Sequence, residues 1–173
     1  MASVGRVTEI EKIAYRDLYR RQLGVDPASA DLTQLIAALG EVEIDPEGLE
    51  RDDWLDLLMT HRIQPAFPAD RTTVVSDYPA SQCALARIRA DEPPVAERFE
   101  LYLGPLELAN GYHELNDADE QRRRFLADNA RRAARGLPQP AIDERLLQAL
   151  QAGLPDCAGV ALGVDRLLMA MLG

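Results

Sequence analysis

Apolar residues recur at two different spacings along the chain, and the change falls near residue 70. Up to about residue 65 the spacing is that of helices with polar outer faces. Thr8 and Glu11 form a capping box in front of Ile10, Ile13, Ala14 and Leu18, which predicts a first helix stopped by Gly24 and Pro27. A second helix is predicted over residues 31–39, ended by Gly40. A third is predicted over 46–61, with Trp54, Leu55, Leu57 and Leu58 on its apolar side and Pro65 and Pro68 closing it. Trp54 reads as core packing, and His61 as a surface or capping histidine rather than a site residue.

Beyond residue 70 the pattern becomes that of strands. Thr72-Thr73-Val74-Val75-Ser76 is a β-rich run bounded by Asp70 and Pro79. Residues 98–103 and 106–110 predict two short strands around Gly104-Pro105. A helix follows over 117–134, broken by Gly136-Leu137-Pro138, then another over 143–151, an apolar strand over 159–162 and a last helix over 163–172. Strands joined by hairpins, with helices grouped at the end, predict an α+β domain on an antiparallel sheet. The chain thus divides into a helical segment, 1–69, and a sheet-bearing domain, 70–173, with no internal repeat and no low-complexity tract.

Composition narrows the class without changing this outline. The chain has 173 residues, 47% hydrophobic and 28% charged, enough for one compact domain or a domain with a small helical appendage. No stretch is long and apolar enough to span a membrane. The first six residues carry no apolar core of a signal peptide. Cys83 and Cys157 lie far apart with no CxxC pairing and read as reduced thiols, so a cytoplasmic protein is expected. A net charge of −10 argues against general nucleic-acid affinity and is compatible with a basic partner or simply with solubility. Arg122, Arg123, Arg124, Arg131, Arg132 and Arg135 coat one predicted helix surface, a solvated face or, alternatively, a docking patch.

Candidate chemistry gathers in two segments. In residues 99–108 apolar and polar positions alternate, and a two-residue turn at Leu103-Gly104 would set Glu100 directly opposite Glu107. Like charges facing each other across a strand pair are unfavourable unless a cation lies between them, and two carboxylates on a rigid sheet suit Mg²⁺ with substrate phosphates. Two exposed glutamates on a solvated sheet face are the alternative. The continuation to Asp117 adds Asn110, Gly111, Tyr112 and Glu114. These cannot all share a face with Glu100 and Glu107 without a bulge, expected at Gly111. A carboxylate beside an aromatic ring is a receptor for an alkylammonium group. In the second segment, 159–169, a strand ends at Gly163 and a helix starts at once, leaving Arg166 in a first turn where the helix dipole disfavours a cation. An anionic or π-rich ligand such as a nucleotide would explain it, and so would an ion pair with a carboxylate of the hairpin.

Together these segments resemble a known family. Residues 159–167 are similar to motif 3 of class II aminoacyl-tRNA synthetases, with Arg166 at its arginine. Residues 99–125 resemble the stretch that precedes motif 3 in lysyl-tRNA synthetases, and with Asp77-Tyr78-Pro79-Ala80-Ser81-Gln82 the likeness covers 70–173. Within that family the chain is most similar to the ligases that attach β-lysine to elongation factor P, on Tyr78-Pro79-Ala80-Ser81-Gln82 and on residues 107–115, 132–138 and 155–166. The helical segment, with residues 25–31, resembles the insertion these ligases carry between motifs 2 and 3. Lysyl-tRNA synthetases usually have glycine where this chain has Ala161, and the β-lysine preference is associated with that larger side chain.

The resemblance implies part of a class II antiparallel-sheet catalytic domain with an N-terminal helical insertion. It implies a reaction in which a lysine or β-lysine carboxylate attacks ATP to form an adenylate, followed by transfer to a lysine of elongation factor P. Glu100 and Glu107 would hold Mg²⁺ and the ATP phosphates. Asn110 would touch amino acid or nucleotide, and Tyr112 and Glu114 would take the side-chain ammonium beside Ala161. Gly163 would admit the adenine and Arg166 would stack on it, with Arg166 and Glu107 carrying the catalytic electrostatics. Neither motif 1, the dimer interface of the full-length family, nor motif 2 is found in this chain, so the chain alone is expected not to activate lysine. A lysyl-tRNA synthetase paralogue and a non-catalytic binding remnant remain alternatives; the acidic balance favours a protein substrate over tRNA.

Overall fold

The computed structural model describes residues 9–172. Six strands form one sheet: β1 (Glu9–Ala14), β2 (Arg71–Pro79), β3 (Ile88–Arg89), β4 (Val95–Leu103), β5 (Leu106–His113) and β6 (Ala158–Leu162). Their order is β1-β2-β4-β5-β6, with β3 paired to β4 just beyond the end of β5. All pairings are antiparallel except β1 with β2. Six α-helices complete the described fold: α1 (Tyr15–Leu23), α2 (Leu32–Leu39), α3 (Arg51–Leu58), α4 (Ala118–Ala134), α5 (Glu144–Ala152) and α6 (Val164–Leu172).

The largest departure from the sequence-based expectation is β1. Thr8 lies outside the described residues, and the segment from Glu9 to Ala14, expected to open the first helix, is a strand parallel to β2. Ile10 and Ile13 stand three apart, a helical spacing, yet only Ile13 packs on the core while Ile10 is exposed. What favours the strand is long-range. Arg71 of β2 reaches Glu9 at 2.7 Å and Glu11 at 3.4 Å across the ladder, and β-branched side chains suit a pleated edge. The helix itself begins at Tyr15 and ends where expected, with Gly24 in the left-handed region returning its N–H to Arg20. Asp31 caps α2 through a reciprocal box with Gln34. The third helix starts later than expected, at Arg51, because a turn at Pro46–Leu49 precedes it, and it runs on into one wide turn over Met59–Ile63.

Helices α1–α3 are not a separate unit. Tyr15, Leu18, Tyr19, Leu35, Trp54, Leu55, Leu58 and Ile63 form one buried cluster with Val75, Tyr78 and Tyr102 of the sheet. The helices therefore roof the β2–β4 half of one sheet face and leave the β5–β6 half open. The opposite face holds a small cluster of Leu103, Leu108 and Ala170, beneath α6. Around it Val160, Leu162, Val164, Met169 and Leu172 are exposed, so β6 and α6 present an apolar surface at the sheet edge. The arginines of α4 and its C-cap are individually engaged: Arg122 with Glu144, Arg123 and Arg124 with Glu120, Arg131 with Asp128, Arg132 with the Pro138 carbonyl, and Arg135 with Asp53.

Candidate functional site

The β4–β5 hairpin decides which side chains meet. Its turn is Gly104-Pro105, with Gly104 at φ +52° and within 3.1 Å of the Ala69 backbone from where a Cβ would stand, a place for glycine. Leu103 pairs with Leu106 and Tyr102 with Glu107, and Leu108 is an extra residue before Leu101 pairs with Ala109. The register expected from a Leu103-Gly104 turn is thus corrected: Glu100 stands opposite Asn110, not Glu107. The bulge lies at Leu108, not at Gly111, which pairs regularly with Phe99 and Val160. The bulge does what alternation required of it. It shifts Glu107 onto the face of Asn110 and Tyr112, because directly paired residues share a face.

That face carries Arg98 opposite Tyr112, Glu100 opposite Asn110 and Tyr102 opposite Glu107. On β6, Ala161 stands opposite Asn110 and Gly159 opposite Tyr112. Gly111 faces the other way, its bare Cα covered by the Phe99 ring, 2.5 Å from where a Cβ would stand.

Glu100 is tied on both oxygens. Arg98 donates to Oε1 at 2.5 Å, Tyr78 donates its hydroxyl to Oε2 at 2.6 Å, and the Tyr102 hydroxyl also donates to Oε2. Burial, and then the Glu100 charge, push both phenols well above their ordinary range, so they stay donors. Arg98 also donates to the Gln82 carbonyl and lies 4.4 Å over the Tyr78 ring and 5.7 Å from that of Tyr112. Sequence reasoning missed Arg98, Tyr78 and Tyr102 as site residues. Arg98 and Tyr102 are in phase with Glu100 and could have been found. Tyr78 could not, because a second bulge, at Asp77 with φ +54°, shifts its register.

The bulge also anchors the second segment. Gly163 donates its N–H to the Leu108 carbonyl at 2.8 Å, and Arg166 donates to the Glu107 carbonyl at 3.0 Å while its guanidinium lies 3.3 Å from the Glu107 carboxylate. Arg166, half exposed, is therefore paired with a hairpin carboxylate. A Cβ at Gly163 would meet only ordinary contacts, the nearest at 3.5 Å.

Glu114 lies just beyond β5. Its N–H is held by the Cys157 carbonyl at 3.0 Å and its own carbonyl by Arg87 Nε at 3.0 Å. The side chain is half-buried, and among the described residues no cation lies within ion-pair distance of its carboxylate. Next to it, His113 bridges Glu97 and Asp156 through its two ring nitrogens, each at 2.6 Å, and the bonds to Asp156 and Glu97 raise its pKa.

Where the helical roof meets the sheet, a cleft of about 600 Å³ is lined by Asp52 and Asp56 of α3 together with Gln82, Arg98, Glu100 and Glu107. Desolvation of its carboxyl, and then repulsion from Asp52 and Asp53, push Asp56 up to about 6, against a bond from Gln82. Among the described residues no helix is long and apolar enough to cross a membrane.

The model of the family described as tRNA synthetases class II (D, K and N) matches residues 7–173. Proteins named elongation factor P–(R)-β-lysine ligase from Salmonella paratyphi B, Salmonella heidelberg and Salmonella schwarzengrund are each 51% identical to this chain over 167 residues, covering 94% of it and 51% of the relative. The chain therefore spans about half the length of the curated relatives it matches. With a family match along nearly its whole length, the chain belongs to the class II tRNA synthetases of the D, K and N group.

Proposed function

We propose that this chain forms the amino-acid and nucleotide wall of an ATP-dependent ligase that activates lysine or β-lysine as an adenylate and transfers it to a lysine of elongation factor P. The observation that carries the proposal is the half-buried carboxylate of Glu114, without a counter-cation among the described residues and next to the open Tyr112–Gly159 pair. A carboxylate so placed suits an alkylammonium ligand. Tyr112 borders that space, Asn110 reaches the same face one pair along, and the Ala161 methyl limits its depth.

The donor chemistry fits Mg²⁺. Glu100 and Glu107 offer hard oxygens on one face, the donor type that Mg²⁺ takes together with substrate phosphates, while among the described residues no group of three or more potential metal ligands lies together. Bound there, the ion would neutralise phosphate charge. Glu107 would share that work with Arg166, whose guanidinium it holds at the start of α6 beside Gly163. Glu100 would give up part of its bonding to Arg98 and the two phenols. Such chemistry rests on positioning and charge neutralisation and calls for no covalent nucleophile.

The exposed β6–α6 surface and the half-length match support the view that further polypeptide completes the site. Pyrophosphate exchange with lysine and β-lysine tests the proposal, run with this chain alone and with polypeptide carrying motifs 1 and 2 added. Exchange is expected only in the combined sample. Robust exchange by the chain alone, or none in either, overturns it. Ala161→Gly separates this reading from that of a tRNA-charging paralogue: it should improve lysine use in the first case and matter little in the second.

A further inference from the structure

The two residues of β6 on the site face differ in one methyl group, and that difference has a geometric use. Ala161 places its methyl opposite Asn110. Gly159 places nothing, and Oε1 of Glu114 occupies the space its Cβ would take, with Glu114 Cδ 3.3 Å and Cγ 3.8 Å from that point. We propose that Gly159 is a positioning residue: its bare Cα lets the Glu114 carboxylate lie flat across β6, where it selects ligands ending in a primary ammonium. The inference rests on the reading of Glu114 as the ammonium receptor.

Three features support a positioning role over a conformational one. Gly159 sits in regular pairing with Tyr112, and its backbone does not adopt a left-handed conformation, so alanine is compatible with the strand. The three nearest atoms a methyl group would meet all belong to the Glu114 side chain, a flexible group that can swing away. The Glu114 backbone cannot follow, because Arg87 and the Cys157 carbonyl hold it on both sides. Gly159→Ala should therefore leave the fold intact and move one carboxylate. Gly111 behaves differently, since a Cβ there would meet the Phe99 ring and, at 2.7 Å, the Gly159 carbonyl.

The test is titration of the whole chain, with polypeptide carrying motifs 1 and 2 added, with L-lysine and with norleucine, which lacks only the side-chain ammonium, followed by NMR or calorimetry, with thermal melting alongside. The wild-type chain should bind lysine in preference to norleucine. Gly159→Ala should weaken lysine binding by about tenfold, the loss of one charge-assisted contact, with norleucine binding and melting temperature unchanged. Adding Glu114→Asp to Gly159→Ala should restore part of the preference, because the shorter carboxylate clears the methyl. Unchanged lysine binding in Gly159→Ala overturns the inference. So does a loss accompanied by a lower melting temperature and no rescue by Glu114→Asp, which would make the glycine merely structural. A wild-type chain with no preference for lysine overturns the underlying reading, and this inference with it.

Discussion

Glu100 is the residue whose proposed role in metal binding and whose place in the fold can be separated by one measurement. Its bond to Arg98 joins side chains that are 16% and 14% exposed, so the pair is largely removed from solvent. Glu100→Ala would leave the Arg98 guanidinium with only the Gln82 carbonyl and the Tyr78 and Tyr112 rings as partners. Stranding one member of such a pair costs about 3–5 kcal/mol. The hydroxyls of Tyr78 and Tyr102 would lose their acceptor as well, at about 1–3 kcal/mol each if nothing replaced it. The adjoining cleft admits water to part of this cluster, so these terms do not simply add, and about 3–5 kcal/mol is the expected total. Glu100→Gln keeps the volume and one acceptor and should cost about half as much. Urea unfolding followed by the single tryptophan, the buried Trp54, reads both variants, with EDTA present so that no divalent ion contributes. With a urea slope of about 2 kcal/mol/M, the midpoint of Glu100→Ala should fall by about 2 M. A side chain serving only as a metal ligand would leave the midpoint unchanged in EDTA. A loss below about 1 kcal/mol would therefore refute the structural role derived from the Arg98–tyrosine cluster.

Three further outcomes follow from neighbouring groups. His113 has its pKa raised by Asp156 and Glu97, so its stabilising contribution is complete below the ordinary histidine value and disappears as pH rises through the raised one. The melting-temperature gap between wild type and His113→Gln should be largest near pH 6 and close toward pH 9, and a gap that widens with pH contradicts this. Asp56 is pushed up to about 6, so its ionisation opposes folding progressively above the ordinary aspartate value and in full once the pH passes the raised one. Asp56→Asn should stabilise the chain by about 1 kcal/mol at pH 7.5, discounted for the solvent at the cleft mouth, and by nothing at pH 4; equal effects at both would rule the desolvation argument out. Gly111→Ala should destabilise by about 1–3 kcal/mol, because the Phe99 ring and a carbonyl would both have to give, and chemical denaturation showing no loss would mean that the strand relaxes freely.

Most elements were legible because their signals are local. Asp31, Asp117 and Asp143 cap the helices they precede, and Gly24 ends α1 in the left-handed conformation. β1 was not legible for a converse reason. Nothing within Glu9–Ala14 announces a strand; its partner is β2, about sixty residues on, through the ladder itself, with Ile13 on the core and Arg71 beside Glu9 and Glu11. The membership of the site face was readable in part. Alternation places Arg98, Glu100 and Tyr102 together without any structure. A bulge, however, obeys no composition rule beyond a bias toward glycine, and that bias pointed to Gly111 when the extra residue was Leu108.

The position of that bulge bears on both readings of Arg166. The ion pair with a hairpin carboxylate is present, and it is compatible with the ligand-binding role proposed for the same side chain. At the bulge, the carbonyls of Glu107 and of the extra residue Leu108 accept hydrogen bonds from the start of α6, from Arg166 and Gly163. The same extra residue turns the Glu107 side chain to the site face, 3.3 Å from the guanidinium. A cation in a first helical turn is unfavourable in isolation. Here two oxygens of Glu107 hold it, and half of its surface remains open to solvent. The ion pair thus fixes Arg166 without burying it, and in the proposed site its exposed half is what would meet an anionic or π-rich group.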